Sequence, residues 1–338
     1  MAKRPLLRCC QSAALAAAIG LMACSRESET ATPVAPGGTA QTSTAKTTTS
    51  PAQPSPEGAS QPVVYVTNYP LLYFSQRIAP GEFELRFPAP ADEDPAYWQP
   101  PAETVAAMQN ATLLLFNGAT YEKFAGTVTL PDSKIVRTAA PFSDRFLELE
   151  HATTHSHGPG GEHSHTGTDF NTWLDPRLAT RQARQIAESF AELVPAKADE
   201  FLANWNALDQ DLAELDRTFK GMTMPYRGER TLMASHPVYA YWGERYGIGI
   251  EAMLWEPGEM PDPEQWAAFE AILAERPAQY MLWEDEPLDE IKAKLRELGV
   301  TPIVFLTANN VRDEGDYLEI MRANAARLEQ AFPQPEVK

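Results

Sequence analysis

The stretch AKADEFLANWNALDQDLAELDRTFK, residues 196–220, predicts the longest helix of the chain. Its large apolar side chains recur at steps of three and four residues, which places them on one face of an α-helix. These are Phe201, Trp205, Leu208, Leu212, Leu215 and Phe219. At 1.5 Å per residue the helix is about 37 Å long, the length of a whole domain. We therefore expect a rigid helix that packs within one chain and connects two blocks, rather than a dimeric coiled coil.

Short apolar runs alternate with amphipathic stretches on both sides of this helix, which is the pattern of an α/β fold. The strands predicted before the helix are 63–67, 83–87, 112–116 and 134–137, and those after it are 231–234, 248–254, 280–283 and 302–306. Asp175-Pro176 predicts a helix start, with Asp as the N-cap and Pro at the first helical position. We expect two α/β lobes, residues 62–195 and 222–338, each with a mostly parallel sheet flanked by helices. The linking helix is placed at residues 196–221.

The N-terminus has the features of an export signal. Residues 1–23 combine a basic start with a short apolar run that is too short to span a bilayer. Cys24 follows Leu21-Met22-Ala23, which resembles the lipidation motif of bacterial lipoproteins. Residues 24–61 consist largely of Ser, Thr, Ala, Pro and Gly, a composition that cannot bury a core, so we expect a disordered tether. The sequence thus predicts a periplasmic or extracytoplasmic protein that is anchored to the membrane through a lipid on Cys24.

The negative charge of the chain argues against polyanionic partners. The formal net charge is −18, and removal of residues 1–23, with three basic and no acidic residues, leaves −21. Nucleic acids and anionic lipid surfaces require basic patches, so neither is expected to bind. Cys9 and Cys10 belong to the signal, so Cys24 is the only cysteine of the mature chain and no internal disulfide can form.

Five of the six histidines fall in the run HATTHSHGPGGEHSHTGTDF, residues 151–170. They are His151, His155, His157, His163 and His165. The residues between them are mostly Gly, Ser and Thr, which predicts a mobile exposed loop over residues 151–168. The high histidine content of such a short segment predicts metal binding, because imidazole is a common ligand of zinc. We expect weak and adaptable metal capture here, since nothing in the run imposes a tetrahedral arrangement.

Several landmarks, in their order and spacing, resemble the solute-binding lipoproteins of zinc and manganese ABC importers. The landmarks are Val66-Thr67-Asn68-Tyr69-Pro70, Asp94-Pro95 with Pro100, Asn117-Gly118-Ala119, the His-rich run, Trp173-Leu174-Asp175-Pro176, Ser235-His236, and Asp316-Tyr317 with Met321-Arg322-Ala323-Asn324. The resemblance covers nearly all of residues 62–332. It implies two lobes joined by a long helix, one divalent metal bound between them, and a membrane permease that receives the metal.

The resemblance also implies where metal ligands are expected, and this chain departs from the pattern. Family members have a histidine where this chain has Ala96, and another where it has Asn171. The third histidine is retained as His236, and the final carboxylate position falls near Thr307. Substitute oxygen donors are available from Glu284 at a strand end and from Asp169, two residues before Asn171. The predicted ligands are therefore His236, Glu284, Asn171 and Asp169 between the lobes, and the loop residues His155, His157, His163 and His165.

Two interpretations of function remain open at this point. The first is an extracytoplasmic lipoprotein, most simply a monomer, that captures a divalent metal ion, with zinc as the leading candidate, for the permease of an ABC importer. The second is the same scaffold with a degenerate cleft, which buffers zinc on its His-rich run or binds an organic or chelated ligand. Trp98, Trp173, Trp255 and Trp283 lie near predicted strand ends and could line such a pocket or pack between the lobes. No catalytic motif of a hydrolase, zinc peptidase or nucleotide-binding enzyme is present, so we do not expect an enzyme.

Overall fold

The computed structural model describes residues 61–156, 162–313 and 315–333. In chain order its strands and helices are β1 (Val63–Val66), α1 (Tyr69–Ile78), β2 (Glu84–Arg86), α2 (Ala102–Asn110), β3 (Leu113–Phe116), β4 (Ile135–Arg137), β5 (Glu148–Ser156), β6 (Glu162–Thr168), α3 (Pro176–Leu193), α4 (Ala198–Thr223), β7 (Thr231–Ala234), α5 (Ala240–Tyr246), β8 (Gly249–Ala252), α6 (Pro263–Glu275), β9 (Tyr280–Trp283), α7 (Asp289–Glu297), β10 (Thr301–Val304) and α8 (Tyr317–Leu328). Short 3-10 turns connect several of them.

Two four-stranded sheets form the centres of the two lobes. The first has the order β2-β1-β3-β4 and the second the order β10-β9-β7-β8. Every strand pair within both sheets is parallel. The central strands are buried because helices cover both faces of a parallel sheet, as the continuous run Leu113–Phe116 illustrates. The predicted α/β class with two parallel sheets is confirmed.

The long helix is α4, which spans 26 residues and is therefore about 39 Å long. Five of the six predicted stripe residues are buried, and the sixth, Trp205, is partly buried and donates its indole N–H to the carbonyl of Thr180. The helix contacts α1 and α3 of the first lobe and α5 and α8 of the C-terminal half. Its apolar stripe therefore joins both parts of the chain in one core.

Local capping explains where several helices begin. The side chain of Asn68 accepts a hydrogen bond from the N–H of Leu71 at the start of α1. Asp175 caps α3, with Pro176 in the first turn, as the sequence predicts. Asp262 and Asp316 each form a capping box with the residue three positions later.

The segment after β10 holds the lobes against each other. The carbonyl of Thr307 accepts the indole N–H of Trp173 at 2.7 Å, and the carbonyl of Asn309 accepts the N–H of Tyr69 at 3.1 Å. The side-chain amide of Asn310 donates to the carbonyls of Pro90 and Glu93 at 2.7 and 2.8 Å. The two lobes are thus joined here by backbone groups as well as side chains.

The His-rich run is not the irregular loop that its composition predicts. Its backbone forms an antiparallel hairpin of β5 and β6, in which His155 is paired with His163 and Thr153 with His165. The threonines of the run favour strands, and antiparallel strands need only a short connection, so pairing across the run outweighs the loop-forming composition. His157 and Cys24 lie outside the described residues, as do the predicted signal and tether. In the part of the chain that is described, no helix is long and apolar enough to cross a bilayer.

Candidate metal centre

His236 lies at the carboxyl end of the second sheet, directly after β7, where ligands bind in open α/β sheets. It is 3% exposed. Its Nδ1 atom lies 2.9 Å from Oε1 of Glu284, which follows β9, and its Nε2 atom lies 3.2 Å from Oε1 of Glu256, which follows β8. Loops after three adjacent strands therefore bring two carboxylates onto opposite edges of one imidazole.

The two carboxylates determine the charge of the ring. Burial lowers the pKa of His236, but the contacts with Glu256 and Glu284 outweigh it and raise this pKa to about 10. The ring is therefore an imidazolium at neutral pH and both of its nitrogens carry protons. A metal ion binds a nitrogen lone pair, so it has to replace one of these protons.

The N-terminal lobe contributes a second polar group, formed by Asp169 and Asn171. Both donors of Asn171, its backbone N–H and its Nδ2, are directed to Oδ1 of Asp169 at 2.8 and 3.0 Å. Oδ2 of Asp169 is buried and has no hydrogen-bond partner among the described residues. Burial raises the pKa of Asp169 to about 7, although the hydrogen bonds from Asn171 act in the opposite direction.

Tyr97 links the polar groups of the two lobes. Burial raises the pKa of its hydroxyl, and the charges of Asp94, Glu284 and Asp169 raise it further. Two of these carboxylates belong to the first lobe and one to the second. Asp94 is itself reached from the C-terminal half, since Nδ2 of Asn309 donates to its Oδ1 at 3.4 Å. Among the described residues, Tyr97 therefore lies near carboxylates of both lobes, one of which, Glu284, is in contact with His236.

The other positions at which the resemblance implies ligands have structural roles. The methyl side chain of Ala96 is fully buried, its N–H donates to Oδ1 of Asp94, and its carbonyl accepts the N–H of Lys123. Thr307 accepts the indole of Trp173 through its carbonyl and donates its hydroxyl to Asn309. Neither position carries an imidazole or a carboxylate.

The structure brings together only part of the predicted ligand set. His236 and Glu284 are in contact, and Asp169 and Asn171 are bonded to each other. Over residues 61–156, 162–313 and 315–333, no group of three or more His, Cys, Asp or Glu side chains has the arrangement of a metal site. The two nitrogens of His236 face carboxylates, those of Glu284 and Glu256. The ligand assignment accordingly stays a prediction.

Glu256 is the residue that the sequence reasoning missed. The strand before it was expected to extend to Leu254 but ends at Ala252, so the chain turns earlier. An acidic residue just after a strand of a parallel sheet is the same signal that identified Glu284. Applied to β8, it would have identified Glu256 as well.

The tryptophans do not gather around a common pocket. Trp255 and Trp283 pack with Trp266 and Phe269 in the core of the second lobe. Trp173 belongs to the main core between the lobes, and Trp98 packs on Phe124. Apolar packing, rather than an aromatic binding pocket, accounts for their positions.

Comparison with known proteins places the chain in a family. Residues 64–331 match the family model described as "ZnuA: Zinc-uptake complex component A periplasmic". The chain belongs to this family. The predicted resemblance to solute-binding proteins of metal importers is thereby confirmed, and the ZnuA family is one of transport components.

Individual relatives and solved structures agree with the family match. The zinc-binding lipoprotein AdcA of Streptococcus pneumoniae is 25% identical over 287 residues, which cover 80% of this chain and 56% of AdcA. The chain thus spans about half the length of the curated relatives it matches. The metal-dependent lipoprotein YcdH of Bacillus subtilis has a similar fold, with a TM-score of 0.67, 18% identity, and coverage of 80% of this chain and 98% of YcdH. Zn(II)-bound AdcA of S. pneumoniae gives a TM-score of 0.68 at 20% identity, with 82% of this chain and 60% of that chain covered. These similarities establish the two-lobed fold of the ZnuA family for this chain.

Proposed function

We propose that this chain is the extracytoplasmic solute-binding component of an ABC importer and captures a divalent metal ion, with zinc as the leading candidate. The observation that carries the proposal is the match of residues 64–331 to the periplasmic zinc-uptake family. The chemistry at His236 is compatible with it, since the ring is in contact with the carboxylates of Glu284 and Glu256, and imidazole and carboxylate are both zinc ligands. In this role the chain is not an enzyme, and its partner is the permease of the importer.

The proposed ligands in the cleft are His236, Glu284 and Glu256 from the second lobe and Asp169, next to Asn171, from the first. The two glutamates attract the cation, and the ion takes the place of a proton on His236. A site with one imidazole and several carboxylates is harder than a site with three imidazoles. It also accepts manganese or iron(II) more readily, so a metal series belongs in the test.

The histidines of the hairpin, His151, His155, His157, His163 and His165, are proposed to bind metal weakly and raise its concentration near the cleft. Their flanking residues 148 and 168 are joined by a hydrogen bond from the hydroxyl of Thr168 to Glu148, which closes the base of the hairpin.

A lipid on Cys24 is proposed to hold the protein on the outer face of the membrane. Mass spectrometry of the protein from the membrane fraction tests this: an unmodified Cys24 thiol would refute the anchor.

A second candidate function has a specific observation in its favour. Ala96 and Asn171 stand where family members carry histidines, and both nitrogens of His236 face carboxylates. A chain with these features can buffer zinc on its hairpin without delivering metal from the cleft.

Zinc titration of three proteins separates the two functions. These are the mature chain, a form lacking residues 151–165, and His236→Ala. Metal capture in the cleft predicts that the tightest site survives the deletion and is lost in His236→Ala. If the deletion removes all binding and His236→Ala changes nothing, the protein is a buffer and not a cleft-binding component.

A further inference from the structure

The base of the His-rich hairpin contains an unusual connection to the opposite lobe. Pairing of β5 and β6 continues one step beyond the strands to Leu147 and Asp169, where the N–H of Asp169 donates to the carbonyl of Leu147 at 2.8 Å. In a regular antiparallel pair the two residues exchange two such bonds. Here the second bond is replaced by the hydroxyl of Tyr241, which accepts from the N–H of Leu147 at 3.2 Å and donates to the carbonyl of Asp169 at 3.0 Å. One hydroxyl can do both because it has a donor hydrogen and two lone pairs.

Tyr241 reaches this position from the C-terminal lobe. It lies on α5, which follows β7 and His236 along the chain. Its ring is buried against Ala139, Phe142 and Leu178, all of the first lobe. The side chain of Tyr241 therefore reaches from the second lobe to the first, where its hydroxyl bonds to the backbone of Asp169, a predicted metal ligand.

Asp169 is consequently held from several directions. Its N–H is bonded to Leu147, its carbonyl to Tyr241, and its Oδ1 to both donors of Asn171. Its Oδ2 is buried and has no hydrogen bond in the described part of the chain, and the residue is 1% exposed. A buried carboxylate oxygen without a partner is costly, unless a ligand supplies the missing contact.

We propose that Tyr241 is a positioning residue: its hydroxyl fixes the backbone of Asp169 so that Oδ2 is presented to the captured ion, and it seats the His-rich hairpin beside that oxygen. This inference rests on the proposed metal-binding function. It explains why one residue joins the hairpin, the first-lobe carboxylate and the second lobe. It favours Asp169 as a donor of the first lobe, since Oδ2 of Asp169 is a buried carboxylate oxygen without a hydrogen-bond partner among the described residues.

The test is a double-mutant cycle of Tyr241→Phe and Asp169→Asn, read out as zinc affinity. The cycle is made in two parent proteins: the mature chain, and a mature chain in which the five histidines of the His-rich run are replaced by asparagine. Tyr241→Phe keeps the ring and removes only the hydroxyl. We expect it to weaken zinc binding in the cleft about tenfold, the effect of one hydrogen bond lost near a charged group. In the Asp169→Asn background it should cause no further loss, because Tyr241 acts through Asp169. The absorption spectrum of bound Co(II), which reports ligand geometry, should change in Tyr241→Phe as well as in Asp169→Asn.

Tyr317→Phe is the matched control. Tyr317 is equally buried, and its hydroxyl also donates to a backbone carbonyl of the first lobe, that of Trp173 at 2.7 Å. This variant should leave zinc affinity and the Co(II) spectrum unchanged, and the melting temperatures of the metal-free proteins verify folding. The positioning role would be overturned if Tyr241→Phe weakened zinc binding equally with Asp169 present and with Asp169→Asn. It would also be overturned if Tyr317→Phe weakened zinc binding as much as Tyr241→Phe. Either result would leave metal capture intact. If the chain without hairpin histidines binds no metal at all, the proposed function itself fails.

Discussion

Replacement of Glu256 by glutamine removes the carboxylate that faces Nε2 of His236 at 3.2 Å while keeping the size of the side chain. Two effects of opposite sign follow. The ion loses a charged ligand, which costs about 2–3 kcal/mol for an interaction of this type. The proton that competes for His236 is also held less tightly, because the pKa of His236, about 10, is raised partly by Glu256. Each unit by which this pKa falls returns about 1.4 kcal/mol to the metal.

The net expectation for Glu256→Gln is a loss of about 1–2 kcal/mol, which is roughly a tenfold weaker affinity for zinc. Glu259→Gln is the matched control, since it removes the same charge three residues further along the same loop. A carboxylate that acts only through solvent changes the affinity by less than about 1 kcal/mol, and salt screens the effect. Competition with a fluorescent zinc chelator at fixed pH, at low and high ionic strength, measures both variants. If Glu256→Gln and Glu259→Gln weaken zinc binding equally and lose the effect in salt, Glu256 is not a ligand and the reasoning is wrong.

Three further outcomes are expected. Burial raises the pKa of Glu122 from 4.5 to about 7, so the folded protein keeps a proton that the unfolded chain loses. The free energy of unfolding of the metal-free protein should therefore fall between pH 4.5 and 7, by at most about 3 kcal/mol from this group; urea denaturation at several pH values measures it, and a rise over this range would contradict the assignment. Arg245→Leu should destabilise the fold by about 2–3 kcal/mol in thermal melts, because it leaves the buried carboxylate of Asp216 on α4 without the guanidinium that binds it at 2.7 and 2.9 Å. Arg217→Leu, at an exposed position of α4 next to Asp216, should have little effect. Deletion of residues 151–165 should reduce the number of zinc ions bound but leave the tightest dissociation constant unchanged, as isothermal titration calorimetry can measure; a weaker tightest site would mean that the hairpin supplies a ligand to it.

The cleft depends on contacts between segments that are far apart in the sequence. Glu284 and Glu256 meet His236 because three parallel strands end at the same edge of one sheet. Topology of this kind can be inferred from a strand pattern, and it led to Glu284. The distance of each carboxylate from a particular ring nitrogen is a matter of side-chain packing, and no sequence pattern contains it.

Much of the fold is determined locally and could be predicted from the sequence alone. Strands β7 (Thr231–Ala234) and β9 (Tyr280–Trp283) have the predicted bounds, and α3 begins at Pro176 behind the predicted cap Asp175, because capping residues, prolines and apolar runs act within a few neighbouring residues. The six-residue stripe of α4 predicted a helix that both lobes share. The tertiary structure alone decided that the His-rich run pairs into a hairpin, and that Tyr241 of one lobe completes its base next to Asp169 of the other. The hydrogen bonds of Tyr241 join residues that are 94 and 72 positions apart, so their free energy is gained only when the lobes pack together and no local propensity can encode them. The hairpin is local, but its pairing depends on a register between two strands that the composition of the run does not reveal.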